Sequence, residues 1–240
     1  MICVFALTGR SGSTSLSEAI HKNMKGAGEW LAEPLSDGYE NWGVQHLNRL
    51  PRITLSNLQG IAKQYNVTLV KTLEFYLGVD ENIKLLNMFS GNILLYRKYF
   101  IDHYTSKWMS YDFKNQTRTS AFYRDEIRNT KDFFKLVRNP VDIEEMISNY
   151  NLFSKKLKTY IDKVNFDSII TYESFYGGSE QDRKTRLLEL FNELKIEPKE
   201  KLDLSPLSID GKHNSYDNYE RLIPNWKEVL SLKEELILQE

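Results

Sequence analysis

The chain has 240 residues, of which 32 are Lys or Arg and 33 are Asp or Glu, so its formal net charge is −1. Because the charges balance, the composition predicts no overall attraction to nucleic acid or to an anionic membrane. The length predicts one domain over residues 1–240, with a core large enough to fold alone.

The cysteine count and the first residues bear on the cellular compartment. Cys3 is the only cysteine, which excludes an internal disulfide and predicts a small buried thiol. Apolar residues begin at Ile2 and leave no room for a signal peptide, and no apolar run reaches the length of a membrane span. We therefore expect a cytoplasmic protein with no membrane span. Nothing in the sequence determines the oligomeric state, and a homodimer is compatible with it.

The N-terminal segment has the order strand, small-residue loop, helix. The run Ile2–Leu7 is apolar with β-branched and aromatic members, which predicts a buried strand. Leu16, Ala19 and Ile20 fall at helical spacing, which predicts a helix that continues to Lys22. Between the two lies the loop Thr8-Gly9-Arg10-Ser11-Gly12-Ser13-Thr14-Ser15.

The composition of this loop is typical of a phosphate cradle. Gly and Ser let backbone N–H groups converge on an anion, and the dipole of the following helix favours negative charge there. Arg10 adds a fixed charge with a planar fork. Further donors are the hydroxyls of Ser11, Ser13, Thr14 and Ser15. The loop differs from that of nucleoside triphosphatases, because Gly12 is followed by Ser13 instead of Lys. The alternative is a turn with no ligand.

Glu33 is a candidate general base. Pro34 favours an extended conformation for Glu33, and such a carboxylate would lie at the carboxyl edge of the sheet, where open α/β folds bind ligands. The alternative is a solvated loop acid. His46 and His103 are further candidates for the base, although an isolated histidine is more often structural. No His or Cys cluster has metal-ligand spacing, so no metal is expected.

The remaining elements alternate between strands and helices. Further strands are predicted over Val67–Leu73, Asn92–Arg97 and Phe166–Tyr172. Helices are predicted over Ile53–Tyr65, Asp80–Met88, Phe100–Tyr111, Pro140–Val164, Glu180–Leu194 and past Asn225-Trp226. Polar residues predict a loop over 113–131. This order predicts an α/β protein with a three-layer, P-loop-like fold, in which helices flank a central, mostly parallel sheet.

Two of these strands carry a basic residue near their end. Burying an unpaired ammonium is costly, so Lys71 either reaches the surface or meets an anion at the end of its strand. Arg97 closes the next strand, where a magnesium-dependent nucleotide hydrolase would place an Asp for the metal. Arginine attracts phosphate instead. Thr105 and Ser106, eight and nine residues later, could close on the same phosphate.

Together these motifs resemble the sulfotransferase superfamily, and particularly its carbohydrate-type branch, over most of the chain. Thr8 to Thr14 resembles the loop that binds the 5′-phosphosulfate of 3′-phosphoadenosine-5′-phosphosulfate (PAPS). Glu33-Pro34 resembles the place of a catalytic glutamate. Leu94-Leu95-Tyr96-Arg97, followed by Thr105-Ser106, resembles the site for the 3′-phosphate of the donor.

Two later segments extend the resemblance. Tyr172-Glu173-Ser174-Phe175 is similar to the tyrosine–glutamate–aspartate–leucine element that follows a late strand. Lys212, with Asn225-Trp226-Lys227-Glu228-Val229, resembles the C-terminal loop and helix that close over the nucleotide. The chain departs from the family at Ser15, where a large apolar residue is more common. The donor-binding residues implied by the resemblance are Arg10, Ser11, Gly12, Ser13, Thr14, Ser15, Arg97, Thr105, Ser106 and Lys212.

The resemblance implies transfer of a sulfuryl group from PAPS to a hydroxyl or amine of an acceptor, here a carbohydrate or glycoconjugate. The product would be adenosine 3′,5′-bisphosphate (PAP), and no metal would take part. Glu33 would take the acceptor proton. Arg10 and the loop N–H groups would stabilise the leaving phosphate oxygen, and Lys71 would assist from the sheet edge.

Three alternatives remain open. Arg138, in Val137-Arg138-Asn139-Pro140-Val141-Asp142, could hold the 3′-phosphate in place of Arg97, although Ser148 follows Arg138 by ten residues, where the family spacing resembles eight or nine. A P-loop-like nucleotide kinase or hydrolase would bind ATP with magnesium. A non-catalytic member of the fold would bind the nucleotide without turnover.

Overall fold

A computed structural model of the chain describes residues 1–9, 11–36, 53–117, 139–208, 219–220 and 222–239. Its centre is a five-stranded sheet in which every pairing is parallel. The strands are β1 (Ile2–Ala6), β2 (Glu29–Ala32), β3 (Val67–Leu73), β4 (Gly91–Tyr96) and β5 (Ser168–Thr171). Their spatial order is β2-β3-β1-β4-β5, so β1 is the central strand.

Helices connect and follow these strands. In chain order they are α1 (Ser13–Asn23), α2 (Leu58–Gln64), α3 (Val79–Leu86), α4 (Phe100–Thr117), α5 (Ile143–Lys163), α6 (Tyr172–Tyr176), α7 (Glu180–Glu193) and α8 (Trp226–Ser231). Single 3₁₀ turns span Glu74–Tyr76 and Ser205–Leu207.

Both faces of the sheet are covered, as the continuous apolar runs require. On one face, Val4 belongs to a buried cluster that includes side chains of α1, α6 and α7. On the other face, the ring of Phe5 lies edge-on to Tyr160 of α5, with 5.0 Å between centroids. On this face too, the side-chain amide of Asn92 in β4 donates at 3.2 Å to the carbonyl of Leu86, which ends α3. The predicted three-layer α/β fold is confirmed.

Contacts divide the chain into two compact units. The first comprises Met1–Tyr96 and Lys156–Ser208 and contains the whole sheet. The second comprises Arg97–Lys155 and Ile209–Gln239, and α5 contributes residues to both. That residues 1–240 form one domain stays a prediction. In the part of the chain that the structure describes, no helix is long and apolar enough to cross a membrane.

The second unit is held together by aromatic packing. Phe100 of α4 contacts Tyr150 and Phe153 of α5, with ring centroids 5.7 and 5.6 Å apart. The Tyr150 hydroxyl donates to the carbonyl of Ile237 at 3.0 Å. These contacts join α4 and the first part of α5 to the C-terminal residues.

In the first unit the prediction misses one strand and misplaces the start of one helix. The edge strand β2 is absent from the predicted elements, because a strand of four residues, of which two are half-buried, has too short a pattern to recognise. The helix predicted over Ile53–Tyr65 is limited to α2, because the side chain of Asn57 accepts the Thr54 N–H at 2.7 Å and holds a turn before it.

Later boundaries also differ. α4 continues to Thr117 into the predicted loop 113–131, of which residues 118–131 lie outside the described residues. α5 begins after Pro140, because the Asp142 side chain accepts the Glu145 N–H at 2.9 Å and caps the helix there. The strand predicted over 166–172 is shorter, since its last residue, Thr171, caps α6.

Candidate functional site

The loop after β1 ends in a left-handed glycine. Gly12, the residue before α1, has φ 78° and ψ 12°, which glycine adopts without strain. A Cβ at Gly12 would lie 2.6 Å from a ring carbon of Tyr176. Backbone conformation and close approach therefore both require glycine. The first N–H groups of α1 have no partner inside the helix and point back toward the loop.

This loop lies at the topological switch point of the sheet. The chain passes from β1 to β2 on one side of β1, and from β4 to β5 on the other side. The connections after β1 and β4 therefore leave in opposite directions, which opens a crevice at the carboxyl ends of these strands. Parallel α/β sheets bind their ligands in such a crevice. The fold thus places the predicted phosphate loop where a ligand is expected.

Lys71 of β3 extends toward the same loop. Its neighbours in the sheet are Val4 of β1 and Ala32 of β2, so its side chain lies on the face that α1 covers. The side chain is only 3% exposed, and its ammonium does not reach the surface. The ammonium donates to Thr14 Oγ1, in the first turn of α1, at 3.2 Å and pairs with the carboxylate of Glu33. The anion that Lys71 meets is therefore a carboxylate of the protein itself.

Glu33 directly follows β2 and turns its carboxylate toward β3. Its φ is 57°, so the expectation of an extended conformation is wrong. The Glu33 N–H donates to the carbonyl of Lys71 at 2.7 Å, which adds one bond to the β2–β3 ladder. Such a φ costs a residue with a side chain about 1–2 kcal/mol. Tertiary contacts with Lys71 hold Glu33 in place, as is typical of strained residues at functional sites.

Tyr76 completes this group, which we call the Glu33–Lys71–Tyr76 cluster. Its hydroxyl donates to Glu33 Oε2, while Lys71 holds Oε1. Burial, together with the Glu33 carboxylate, raises the pKa of Tyr76, so this residue stays a neutral donor. Burial lowers the pKa of Lys71, and Glu33 opposes that effect.

Tyr76 is not among the residues predicted from sequence. The available signal was its position: Glu74-Phe75-Tyr76 directly follows β3, at the edge where Lys71 lies. Only the tertiary structure shows that the Tyr76 hydroxyl turns toward Glu33.

The hydroxyls predicted around the loop have different environments. Ser11 is fully buried, and its Oγ has no hydrogen-bond partner among the described residues. Ser13 is buried, Ser15 is half-buried, and Thr14 is exposed, with the Lys71 contact already described. A buried hydroxyl without a partner carries a desolvation cost. Ser11 therefore has hydrogen-bonding capacity to offer a ligand at this loop.

A second buried carboxylate lies at the end of β3. The side chain of Glu74 is 2% exposed and pairs with Lys156 of α5 at 2.8 Å. The Tyr160 hydroxyl donates to Glu74 Oε1 at 3.2 Å, and the Asn82 side-chain amide donates to the Glu74 carbonyl at 2.8 Å. These bonds anchor the turn that carries Tyr76. The predicted site residues do not include Glu74, Asn82, Lys156 or Tyr160.

The residues expected to hold the 3′-phosphate belong to the second unit. Arg97 follows β4 directly and is half-buried, whereas Thr105 and Ser106 are buried in α4. Within the described residues, Thr105 Oγ1 has no hydrogen-bond partner. The phosphate-binding role of these three residues stays a prediction.

Four candidates lie outside the described residues: Arg10, His46, Arg138 and Lys212. His103 belongs to the second unit and is buried, with its ring 5.4 Å from the rings of Phe100 and Phe153. This aromatic environment is typical of a structural histidine.

The last segments of the resemblance lie in short helices. Tyr172 to Tyr176 forms α6. Asn225 donates to the carbonyl of Val141 at 2.9 Å and accepts from its N–H at 2.8 Å, and the Trp226 ring is buried 5.0 Å from Tyr219. Asn225 and Trp226 thus have packing roles inside the second unit.

Of the predicted residues, the structure brings together Thr14, Glu33 and Lys71, beside a loop that ends in Gly12. One carboxylate, one ammonium and several hydroxyls next to a helix N-terminus suit proton transfer beside a bound anion. Across the ranges that the structure describes, no group of His, Cys, Asp and Glu could hold a metal ion.

Comparison of the chain with models of protein families, with curated proteins and with solved structures finds no match.

Proposed function

We propose that this chain is a PAPS-dependent sulfotransferase that transfers a sulfuryl group to a hydroxyl or amine of an acceptor, in the carbohydrate class. The observation that carries the proposal is the contact of Lys71 with both Glu33 and Thr14. It links a candidate base to the first turn of the helix that follows the predicted phosphate loop. A non-catalytic role would be favoured if Glu33 were remote from this loop, and it is not.

Anion binding at the loop is supported by the geometry of α1. The first N–H groups of α1 have no partner within the helix, and the helix dipole favours negative charge in front of Ser13. The buried Ser11 hydroxyl could donate to the same anion. By its place in the sequence, Arg10 would add a guanidinium, which suits a phosphosulfate.

In the proposed reaction the acceptor oxygen forms a bond to sulfur while the bond from sulfur to the 5′-phosphate oxygen breaks. Glu33 takes the proton that the acceptor loses, and the bond electrons leave with the phosphate of PAP. Lys71 would stabilise that negative charge; the contact of its ammonium with Thr14, at the loop end of α1, supports this role.

The same ammonium neutralises Glu33 before a ligand arrives. As the phosphosulfate draws the charge of Lys71, the ammonium would release Glu33, which still accepts the hydrogen bond from Tyr76. Donor binding would thus prepare the carboxylate for the acceptor.

The 3′-phosphate would distinguish this donor from ATP. The resemblance assigns it to Arg97, Thr105 and Ser106, with Lys212 from the C-terminal loop, and Arg138 is the competing arginine. The donor, the acceptor and these assignments are parts of the proposal.

Thermal unfolding with PAP, with ATP and magnesium, and with AMP tests the proposal, because a ligand that binds only the folded state raises the midpoint. We expect a rise with PAP that is lost in Arg97→Ala and kept in the matched variant Arg138→Ala. A rise with ATP and magnesium but not with PAP would overturn the sulfotransferase assignment. Transfer of labelled sulfate from PAPS to a panel of glycans then tests turnover.

A further inference from the structure

We propose that Tyr176 is a positioning residue that orients the phosphate loop through the carbonyl of Gly12. This inference rests on the proposed function, because it assumes that the loop binds the donor. Its hydroxyl donates to the Gly12 carbonyl at 2.6 Å. The two residues are 164 positions apart, and both belong to the first unit.

The Gly12 carbonyl is held from two directions. It accepts the N–H of Leu16 at 3.0 Å, which is the first bond of α1, and it accepts the Tyr176 hydroxyl. A carbonyl oxygen has two lone pairs, so both are used. The orientation of the peptide group between Gly12 and Ser13 is therefore determined by α1 and by α6 together.

This orientation controls what an anion would meet. In a trans peptide the C=O of one residue and the N–H of the next point in opposite directions. Because Tyr176 draws the Gly12 carbonyl toward the core, the Ser13 N–H turns the other way, toward the loop. If the peptide rotated, the carbonyl would point its partial negative charge at the anion, and binding would weaken.

Tyr176 is itself held rigidly. The guanidinium of Arg186 donates to the carbonyls on both sides of it, at 3.1 Å to Phe175 and 2.5 Å to Gly177. The ring of Tyr172 stacks on its ring with 4.7 Å between centroids. The residue is 6% exposed, and burial raises its pKa far above the usual range, so the hydroxyl remains a donor at every physiological pH.

The hydroxyl can be tested apart from the ring. In Tyr176→Phe the ring still fills its place in the core, and the hydroxyl that bonds to Gly12 is lost, together with its interactions with Ser15 and the Leu16 backbone. Tyr160→Phe is the matched control, since it removes another buried tyrosine hydroxyl in the same unit, on the opposite face of the sheet. We expect PAP affinity by calorimetry to fall about tenfold in Tyr176→Phe and to change less than about twofold in Tyr160→Phe.

A second measurement does not depend on the donor. In the ligand-free protein, amide hydrogen exchange over residues 8–16 should speed up in Tyr176→Phe and not in Tyr160→Phe. If Tyr176→Phe fails to fold, Arg186→Lys is the substitute, because Arg186 is half-buried and its loss loosens Tyr176. It should change PAP affinity and loop exchange in the same direction, to a smaller extent.

The outcomes separate the two proposals. If PAP does not bind the wild-type protein, the proposed donor is wrong, and loop exchange decides the role of Tyr176. If PAP binds and the Tyr176 variant matches wild type in affinity and in loop exchange, the positioning role is wrong and the proposed function stands. If both tyrosine variants weaken PAP equally, Tyr176 has only a general structural role.

Discussion

Glu33 and Lys71 are bound to each other twice. The Glu33 N–H donates to the Lys71 carbonyl at 2.7 Å, and the two side chains form an ion pair. Glu33 leaves β2 with a positive φ, and this turn brings the carboxylate back to the strand that carries Lys71. The strained backbone and the buried ion pair are therefore parts of one arrangement.

The ion pair predicts unequal single-variant effects on stability. Glu33→Gln leaves the Lys71 ammonium, 3% exposed, without its carboxylate, and should lower the free energy of unfolding by about 3 kcal/mol. Lys71→Met should cost less, because methionine is apolar and Glu33 keeps its bond from Tyr76. Urea unfolding measures both. The double variant should be more stable than Glu33→Gln alone. If the stability losses of the two single variants simply add in the double variant, the two residues are not coupled.

The same pair predicts a pH dependence of stability. Burial lowers the pKa of Lys71 and Glu33 opposes this, so Glu33→Gln should lower the pKa of Lys71 further. A lysine whose pKa is lower in the folded state binds fewer protons there than in the unfolded state, so its contribution to stability increases with pH.

The deficit of Glu33→Gln relative to wild type should therefore shrink as the pH rises toward about 10.4, the ordinary lysine value. Urea titrations of both proteins at a series of pH values measure this difference. A deficit that stays constant would mean that Lys71 is not the group left unpaired.

Gly12 and Gly26 form a matched pair for the loop. Both have a left-handed φ, 78° and 69°, but only at Gly12 would a Cβ meet another atom, 2.6 Å away on the ring of Tyr176. Gly26→Ala should cost about 1 kcal/mol from backbone strain alone. Gly12→Ala should cost about 3 kcal/mol, because the ring or the loop must also move. Equal losses in thermal or urea unfolding would show that the contact with Tyr176 is unimportant.

The rate of catalysis should depend on Glu33 more strongly than the affinity for the donor does. In the proposed reaction Glu33→Gln removes the group that would take the acceptor proton, so the rate of sulfuryl transfer should fall by roughly 10²–10⁴-fold. PAP affinity should change little, because the variant keeps the loop and α1. Labelled-sulfate transfer and calorimetry on the same preparation measure the two effects. A variant that retains full transfer activity would exclude Glu33 as the base.

The second buried carboxylate predicts a purely structural effect. Lys156→Met leaves Glu74, 2% exposed, without its ammonium partner, and should destabilise the protein by about 3 kcal/mol. The neighbouring Lys155 is exposed, so Lys155→Met should stay within about 0.5 kcal/mol of wild type. Chemical denaturation of the two variants measures this, and a similar stability for both would show that the Glu74 pair is not needed.

Much of the fold could be predicted from local patterns. The apolar runs around Val4, Val70 and Leu94 are continuous because both faces of a parallel sheet are buried, and each is a strand in the structure. Local patterns do not reveal the edge strand β2, because it has only four residues and two of them are half-buried. The start of α5 was misplaced because the cap at Asp142 outweighs the preference of Pro140 for the first turn.

The sequence by itself determined the order of strands and helices, apart from β2, and the position of a Gly/Ser loop between the first strand and helix. These follow from local hydrophobic periodicity and turn chemistry, which act over a few residues. Only the tertiary structure decided which side chains meet there. Tyr76 reaches Glu33 across 43 positions and Tyr176 reaches Gly12 across 164, because parallel strands far apart in the chain end at one edge of the sheet.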